Sequence, residues 1–506
     1  MDEPVGSRRR SLIARGVVWT GAYQIFEAGL AVGAMLVLVR LIPPAEYGRF
    51  GAVLGFLTLV NSFSSGVFTI QALQLADGRA PDWSLHWSAG LYIQSLLTLI
   101  CHAFAGLCWL APAYRPLAPL LHLAAFGLML DWPAQLRAVM LRRQMDFPRL
   151  KILLAFSTVA KLAVTLLVGL TGGGAYAIVL GSNVVTPLPL AIDLLLVCRW
   201  RPRPGWWRWP DWTAYRPAIR FGLQQATSAL LGSARGALGA AVLPGALGYT
   251  AIGLLNRAQA LFGMSIGRAA GIVVETAYPL LPRYVSDAKL YARQATLFAQ
   301  VLFLMVLPGA LYVGLEGHAL SRLLYGERWI AADPLIWPAA LTGLGLAIFA
   351  AASGVLLAAN CLRLCLVLDV MVGALSLPMM AVAWASGSVV AYAWVVAAGQ
   401  LVAGVMAMAA ASSRLASGWA RPVLLPPALA SFLATAAVLV VESRGLGSSS
   451  VGQLWISTGV YGLTLGLTLR GFFPGALASL LSRIPGGDRL SSWLRLPMAG
   501  VASPAP

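Results

Sequence analysis

GVVWTGAYQIFEAGLAVGAMLVLV, residues 16–39, follows Arg8, Arg9, Arg10 and Arg15 and has the outward look of a secretory signal. Its apolar run from Val17 to Val39 is too long for a signal h-region of about 7 to 15 residues, and no small-residue cleavage site closes it. About 20 apolar residues cross a bilayer as a helix, so the stretch reads as a retained first span. The rest of the chain has the same character: of 506 residues, 59% are hydrophobic and 11% charged, with a mean hydropathy of +0.78. Soluble domains average about 45 to 50% apolar and 25% charged. The expected fold class is therefore all-α, a polytopic integral membrane protein.

Applied along the chain, the same length rule predicts about fourteen crossings. They fall at 16–39, 50–70, 88–111, 117–136, 152–171, 175–198, 221–243, 250–278, 295–315, 335–358, 364–385, 389–411, 423–441 and 452–470. Pro279 and Pro282 close the eighth, which is long enough to be tilted or broken. Cytoplasmic loops retain Lys and Arg. With the N-terminus inside, the outer loops hold only Arg40, Arg49, Arg115, Arg322, Arg328 and Arg444, and most of the 36 bases fall inside. Both termini are expected to be cytoplasmic.

Weak internal echoes recur in the same order at similar separations. Pro44-Ala45-Glu46-Tyr47-Gly48 is matched by Pro244-Gly245-Ala246-Leu247-Gly248, Arg149-Leu150 by Arg363-Leu364, and Ala175-Tyr176-Ala177 by Ala391-Tyr392-Ala393. Six spans is an even number, so the two halves would be a parallel repeat. The expected organisation is a six-span lobe at 1–205, a basic Trp-rich cytoplasmic linker at 206–220 and a second six-span lobe at 221–412. Two additional spans at 413–470 and a cytoplasmic tail at 471–506 follow.

A net charge of +18 invites a nucleic-acid reading, but no basic helix, finger or aromatic sheet motif accompanies it. The segment Arg199 to Arg220, rich in Arg and Trp, fits an interfacial linker at the inner face better than a stacking platform. Cys101, Cys108, Cys198, Cys361 and Cys365 lie in or beside apolar stretches without metal or disulfide spacing, and read as small packing residues. Gly172-Gly173-Gly174 lacks the Lys-Ser/Thr of a phosphate loop. Neither a cofactor nor a metal is expected.

Lys161, Arg235, Arg257 and Arg268 lie well inside predicted spans. A charge at that depth is costly unless it lines a cavity or finds a partner, and by default marks a functional site. Four of one sign suggest a path for an anion. Helical spacing places Thr20, Gln24 and Glu27 on one face, Thr158, Lys161 and Thr165 on another, and Gln224, Ser228 and Arg235 on a third. Arg257, Arg268 and Glu275 form the corresponding stripe of span eight. The bland alternatives are snorkelling of Arg257 and pairing of the bases with Glu27, Asp131, Glu275 or Asp369. Those four acids are also candidates for proton or ion coupling. Gly263, Gly267 and Gly271 read as a helix-packing ridge, with a bend in span eight as the alternative.

The opening, Arg40-Leu41-Ile42-Pro43-Pro44 running into Glu46-Tyr47-Gly48-Arg49-Phe50, resembles the Wzx-type polysaccharide flippases of the multidrug/oligosaccharidyl-lipid/polysaccharide exporter superfamily. So do Leu141-Arg142-Arg143 with Asp146-Phe147, Ala246-Leu247-Gly248-Tyr249, and Leu324-Tyr325-Gly326 with Trp329, over roughly residues 10 to 410. The resemblance implies a two-lobed helical bundle of the bacterial inner membrane. Its implied cargo is an oligosaccharide on undecaprenyl pyrophosphate, moved outward for capsule, exopolysaccharide or O-antigen assembly. Membrane lipid and, beyond it, the polysaccharide polymerase and chain-length machinery are the implied partners. A multidrug-type or other lipid exporter of the superfamily, lipid II flippases included, is the alternative, although a cation exporter would favour acids in its cavity. A membrane-embedded polymerase would need a catalytic constellation, and the outer loop from Gly317 to Asp333 offers only His318, Glu327 and Asp333. No catalytic residue is assigned.

Overall fold

The computed structural model describes residues 5–75, 79–198, 202–444, 450–481 and 492. Within these, the side chains at 5–17, 227–229, 231–235, 237–238, 240–241, 265, 272, 275–279, 450–451 and 479–480 are outside the description. Most of the tail expected at 471–506, together with Arg199 and Arg201 of the linker, lies outside the described residues.

All regular structure among the described residues is helical. In chain order the long helices are α1 (Val5–Leu41), α2 (Pro44–Gln74), α3 (Trp83–Cys108), α4 (Arg115–Arg143), α5 (Phe147–Leu170) and α6 (Gly174–Val197). A continuous stretch, Trp212–Phe262, turns at Gly248, whose φ of +77° separates α7 (212–247) from α8 (249–277). There follow α9 (Ala288–Tyr325), α10 (Glu327–Ala358), α11 (Leu362–Ser386), α12 (Val389–Arg414), α13 (Ala420–Ser443) and α14 (Ser450–Phe472). Among the described residues, 11 helices are long and apolar enough to cross a membrane: α1 to α6 and α9 to α13. The chain is an all-α polytopic membrane protein.

Aspartates start four of these helices. Asp82 accepts from the backbone N–H groups of Ser84 and Leu85, Asp146 from Arg149, Asp211 from Thr213 and Ala214, and Asp287 from Lys289 and Leu290. Each carboxylate satisfies N–H groups that the first turn leaves without a partner and complements the helix dipole. Acids are scarce here, and this use accounts for several of the 18 Asp and Glu.

The chain divides into two compact units, Met1–Gly253 and Leu254–Pro506, with the boundary inside α8. In the first, α1 packs on α5, α3 on α4, and α4 and α5 on α6. Its core holds Val53, Leu57, Cys101, Leu121, Ala125 and Val179. Cys101 and Cys108 are buried, as packing residues should be, and all five cysteines are free. In the second unit the closest pairing is α10 with α12. A Cβ on Gly345 would lie 2.5 Å from the Gln400 carbonyl carbon, and one on Gly404 2.9 Å from the Gly345 oxygen. This is the small-residue approach that membrane helices use where lipid supplies no hydrophobic drive.

The glycines expected to play that part on α8 do not. A Cβ on Gly263 or Gly271 would meet nothing within 4 Å, and Gly263–Gly267 is a π-helical turn. The ridge is a local distortion of the helix rather than a contact surface, and π turns mark places where a helix departs from regular geometry for function.

Candidate functional site

Helices α1 and α5 bring several of the expected residues together. The Tyr23 hydroxyl lies 3.3 Å from Thr158 Oγ1, and the Lys151 ammonium stands 5.1 Å from the centre of the Tyr23 ring. Glu27 acts electrostatically on both Tyr23 and Lys151. One turn beyond Thr158, Lys161 is half-buried, and its carbonyl accepts from Thr165 Oγ1 at 2.7 Å. Lys161 has no ion-pair partner among the described residues. Gln24 on α1 and Gln224 on α7 are exposed, and Glu27 is half-buried.

On α8, Arg257 is half-buried and its carbonyl accepts from the Tyr325 hydroxyl at 3.4 Å. Arg268 is exposed and has no ion-pair partner among the described residues. The single face expected for the two arginines assumed an uninterrupted helix. The π turn between them inserts an extra residue, about 100° of phase. The side chains of Arg235 and Glu275 lie outside the described residues.

The acids expected as charge partners have other roles in part. Asp131 on α4 is half-buried and accepts from Gln135 Nε2 at 3.1 Å, a neighbour one turn along the same helix. Asp369 is half-buried on α11.

The strongest buried charge cluster was not among the expected residues. Arg137 Nε donates to Asp193 Oδ2 at 2.5 Å, and Arg149 Nη2 to Asp193 Oδ1 at 2.6 Å. The side chains of Arg137 and Asp193 are 3% and 6% exposed, that of Arg149 39%. Asp193 opens a π-helical turn, Asp193–Val197, near the end of α6. Its signal in the sequence was a lone acid in span six, chemically complementary to the basic run from Arg137 to Lys151.

A second unexpected arrangement ties α2 to α6. Glu46 Oε2 accepts from the Ala175 N–H at 3.0 Å, capping α6, while its Oε1 accepts from Arg49 Nη1 at 2.5 Å. Arg49 stands 5.8 Å from the Tyr249 ring centre, and the Tyr249 hydroxyl donates to the Ala113 carbonyl at 2.6 Å. Gly48 and Gly253 permit the adjoining backbone approaches, since a Cβ on either would overlap Tyr249 or Pro44 main chain. The Pro-x-Glu-Tyr-Gly stretch thus encodes a cap and a close approach.

In the second unit, Gln259, Gly263, Gly267, Gly271 and Thr342 border an apolar groove of about 510 Å³ beside Arg268 in sequence. Among the described residues no group of three or more His, Cys, Asp or Glu is arranged to hold a metal ion.

The described arrangement can do two things chemically. It presents positive charge, at Lys161 and Arg268, that has no ion-pair partner among the described residues. It also exposes amides capable of hydrogen bonding to hydroxyl-rich or phosphorylated groups.

The model of a family described as polysaccharide biosynthesis protein matches residues 37–334. No curated protein sequence matches this one. Among solved structures, the fold is similar to that of the lipid II flippase MurJ in an inward closed conformation. The TM-score is 0.71 at 12% identity, over 90% of this chain and 99% of that one. It is also similar to an inward-facing multidrug resistance MATE family transporter of the MOP superfamily. That match has a TM-score of 0.58 at 15% identity, over 80% of this chain and 99% of the other.

Proposed function

The chain belongs to the polysaccharide biosynthesis protein family, and we propose that it is a flippase for undecaprenyl-pyrophosphate-linked oligosaccharide. The cargo moves from the cytoplasmic to the periplasmic leaflet of a bacterial inner membrane, with both termini cytoplasmic, and feeds exopolysaccharide, capsule or O-antigen assembly. One observation carries the reading: Lys161, inside a helix long and apolar enough to cross a membrane, and Arg268 on α8 have no ion-pair partner among the described residues. Such charges are tolerated where water or an anionic cargo reaches them.

In this reading Lys161, Arg235, Arg257 and Arg268 contact the pyrophosphate as it crosses, and Gln24 and Gln224 hydrogen-bond to sugar hydroxyls. Neither group performs chemistry on the cargo, so the protein is a carrier and not an enzyme. Glu27, Asp131, Glu275 and Asp369 limit the net positive charge of the route, and serve as the proton- or ion-coupling groups if coupling is required. A membrane potential negative inside already favours outward movement of an anion by about 2.3 kcal/mol per charge per 100 mV. Alternating access moves the cargo, with the π turn of α8 as the place where that helix changes shape.

Deletion of the protein is expected to cause accumulation of a completed, undecaprenyl-pyrophosphate-linked oligosaccharide, identified by mass spectrometry of extracted lipids. Accumulation of lipid II instead, or of no lipid-linked intermediate, would point to a different cargo.

A further inference from the structure

The chain contains four histidines, and two of them meet. His102 of α3 and His122 of α4 turn their Nδ1 atoms to each other across 2.7 Å, with ring centres 5.0 Å apart. Both side chains are half-buried. His102 lies six residues before Cys108, where α3 ends, a depth of about 9 Å at 1.5 Å per residue. Two ring nitrogens facing at this distance cannot both carry a proton, so at least one lone pair is aimed at the partner ring. The space between the rings takes a single electrophile, a proton or a metal ion.

Holding α3 to α4 does not require this pair. Gln94 Nε2 donates to the Leu128 carbonyl at 2.7 Å, Cys101 Sγ to the Leu121 carbonyl at 3.5 Å, and Ser95 Oγ to Met129 Sδ at 3.9 Å. Ser95 stands seven residues before His102 and Met129 seven after His122, two turns along the same seam. With the hairpin fastened in this way, what two imidazoles add is affinity for metal. The pair is also accessible: Ala103 is exposed, and a Cβ on Gly106, one turn beyond His102, would meet nothing within 4 Å. Metal–nitrogen bonds of about 2 Å require the two Nδ1 atoms to part by roughly 1 Å, and rotation of the His102 ring toward Gly106 supplies the room.

The donor set selects the ion. Helix α3 contains no acid, and Asp131, the acid of α4, lies roughly 14 Å along the helix from His122. Among the described residues no third His, Cys, Asp or Glu joins the pair to hold a metal. Zinc takes four ligands, and a double charge without a carboxylate is costly in a low dielectric. A soft monovalent ion with a filled d shell binds two neutral nitrogens in a line and needs neither. We propose that His102 and His122 form a two-coordinate site for Cu⁺. The ion takes the place of the bridging proton, which moves to Nε2 of the same ring, and no electron is transferred. The site stands apart from the flippase reading, since binding is measured without transport.

The experiment uses the full chain in detergent, without a polyhistidine tag and with the half-buried thiols removed as Cys198→Ser, Cys361→Ser and Cys365→Ser. Cu⁺, kept reduced by ascorbate under argon, is titrated in competition with bicinchoninate, and X-ray absorption reads its ligands. The expected result is one ion per chain, on two nitrogens and no sulfur. Its affinity falls about 100-fold or more in His102→Ala and in His122→Ala, while His318→Ala on α9 leaves it within about twofold. His122→Gln separates a clamp from a site: it keeps a hydrogen-bonding partner for His102, retains the fold and still loses the ion. Should either alanine variant fail to fold, His122→Gln decides alone. Absence of Cu⁺ binding, sulfur in the ligand set, Zn²⁺ bound as tightly as Cu⁺, or affinity unchanged in the variants overturns the proposal and leaves a hydrogen-bonded clamp only.

Discussion

Replacing Arg137 by Ala removes one of two arginines from a carboxylate that is 6% exposed, and a broken buried pair costs about 3 to 5 kcal/mol. Arg137→Ala is therefore expected to lower the unfolding midpoint in detergent markedly, whereas Arg149→Ala, at 39% exposure, costs less. Equal midpoints for the two variants would contradict the ranking. At Asp82, burial pushes the carboxyl up, but hydrogen bonds from Ser84 and Leu85 and the neighbouring His86 outweigh it and hold it below its ordinary value. A group depressed in the folded state stabilises above its unfolded value near pH 4, and that contribution fades as pH falls through the folded value. Asp82→Asn should thus flatten the acid limb of the stability profile; an unchanged limb would show that the cap contributes nothing. At this scale the sequence was readable where a charge interrupted an apolar run, as at Lys161. It was opaque at Asp193 and Glu316, because pairing and burial depend on which helices become neighbours.

Helix α8 shows how an element departs from its sequence pattern. The spacing of Arg257 and Arg268 assumed 100° per residue, and the π turn Gly263–Gly267 shifts that phase. Nothing in an apolar, Gly-rich stretch announces a π turn, since the cue is what the neighbouring helices permit. The end of α9 departs from its pattern for a related reason: hydropathy fades near residue 315, yet the helix continues to Tyr325 and carries Glu316 into a buried position. The α10 and α12 pair carries the element-scale prediction. A side chain at Gly345 would strike Gln400 main chain, and overpacking costs about 1 to 3 kcal/mol or more where backbone must shift. Gly345→Val should lower folded yield in membranes and the unfolding midpoint, while Gly263→Ala, with open space around it, should do neither.

For the molecule as a whole, composition and span length were enough to reach an all-helical polytopic protein, because bilayer thickness fixes how much apolar sequence each crossing needs. The order of Pro-rich and Gly-rich motifs pointed to an exporter fold, and the similarity to two transporters at 12% and 15% identity bears that fold out. What apolar sequence does not encode is how side chains from separate spans combine, because many residues of one kind satisfy the same pattern.

In the proposed flippase the basic side chains of the route serve an anionic cargo. The direct measurement is the leaflet in which the lipid-linked oligosaccharide resides, read by periplasmic access to the sugar in cells carrying Arg235→Ala or Arg268→Ala at normal protein levels. Cargo trapped on the cytoplasmic side in both variants, with the protein still inserted, is the predicted result. Export at the unmodified rate from both would contradict it.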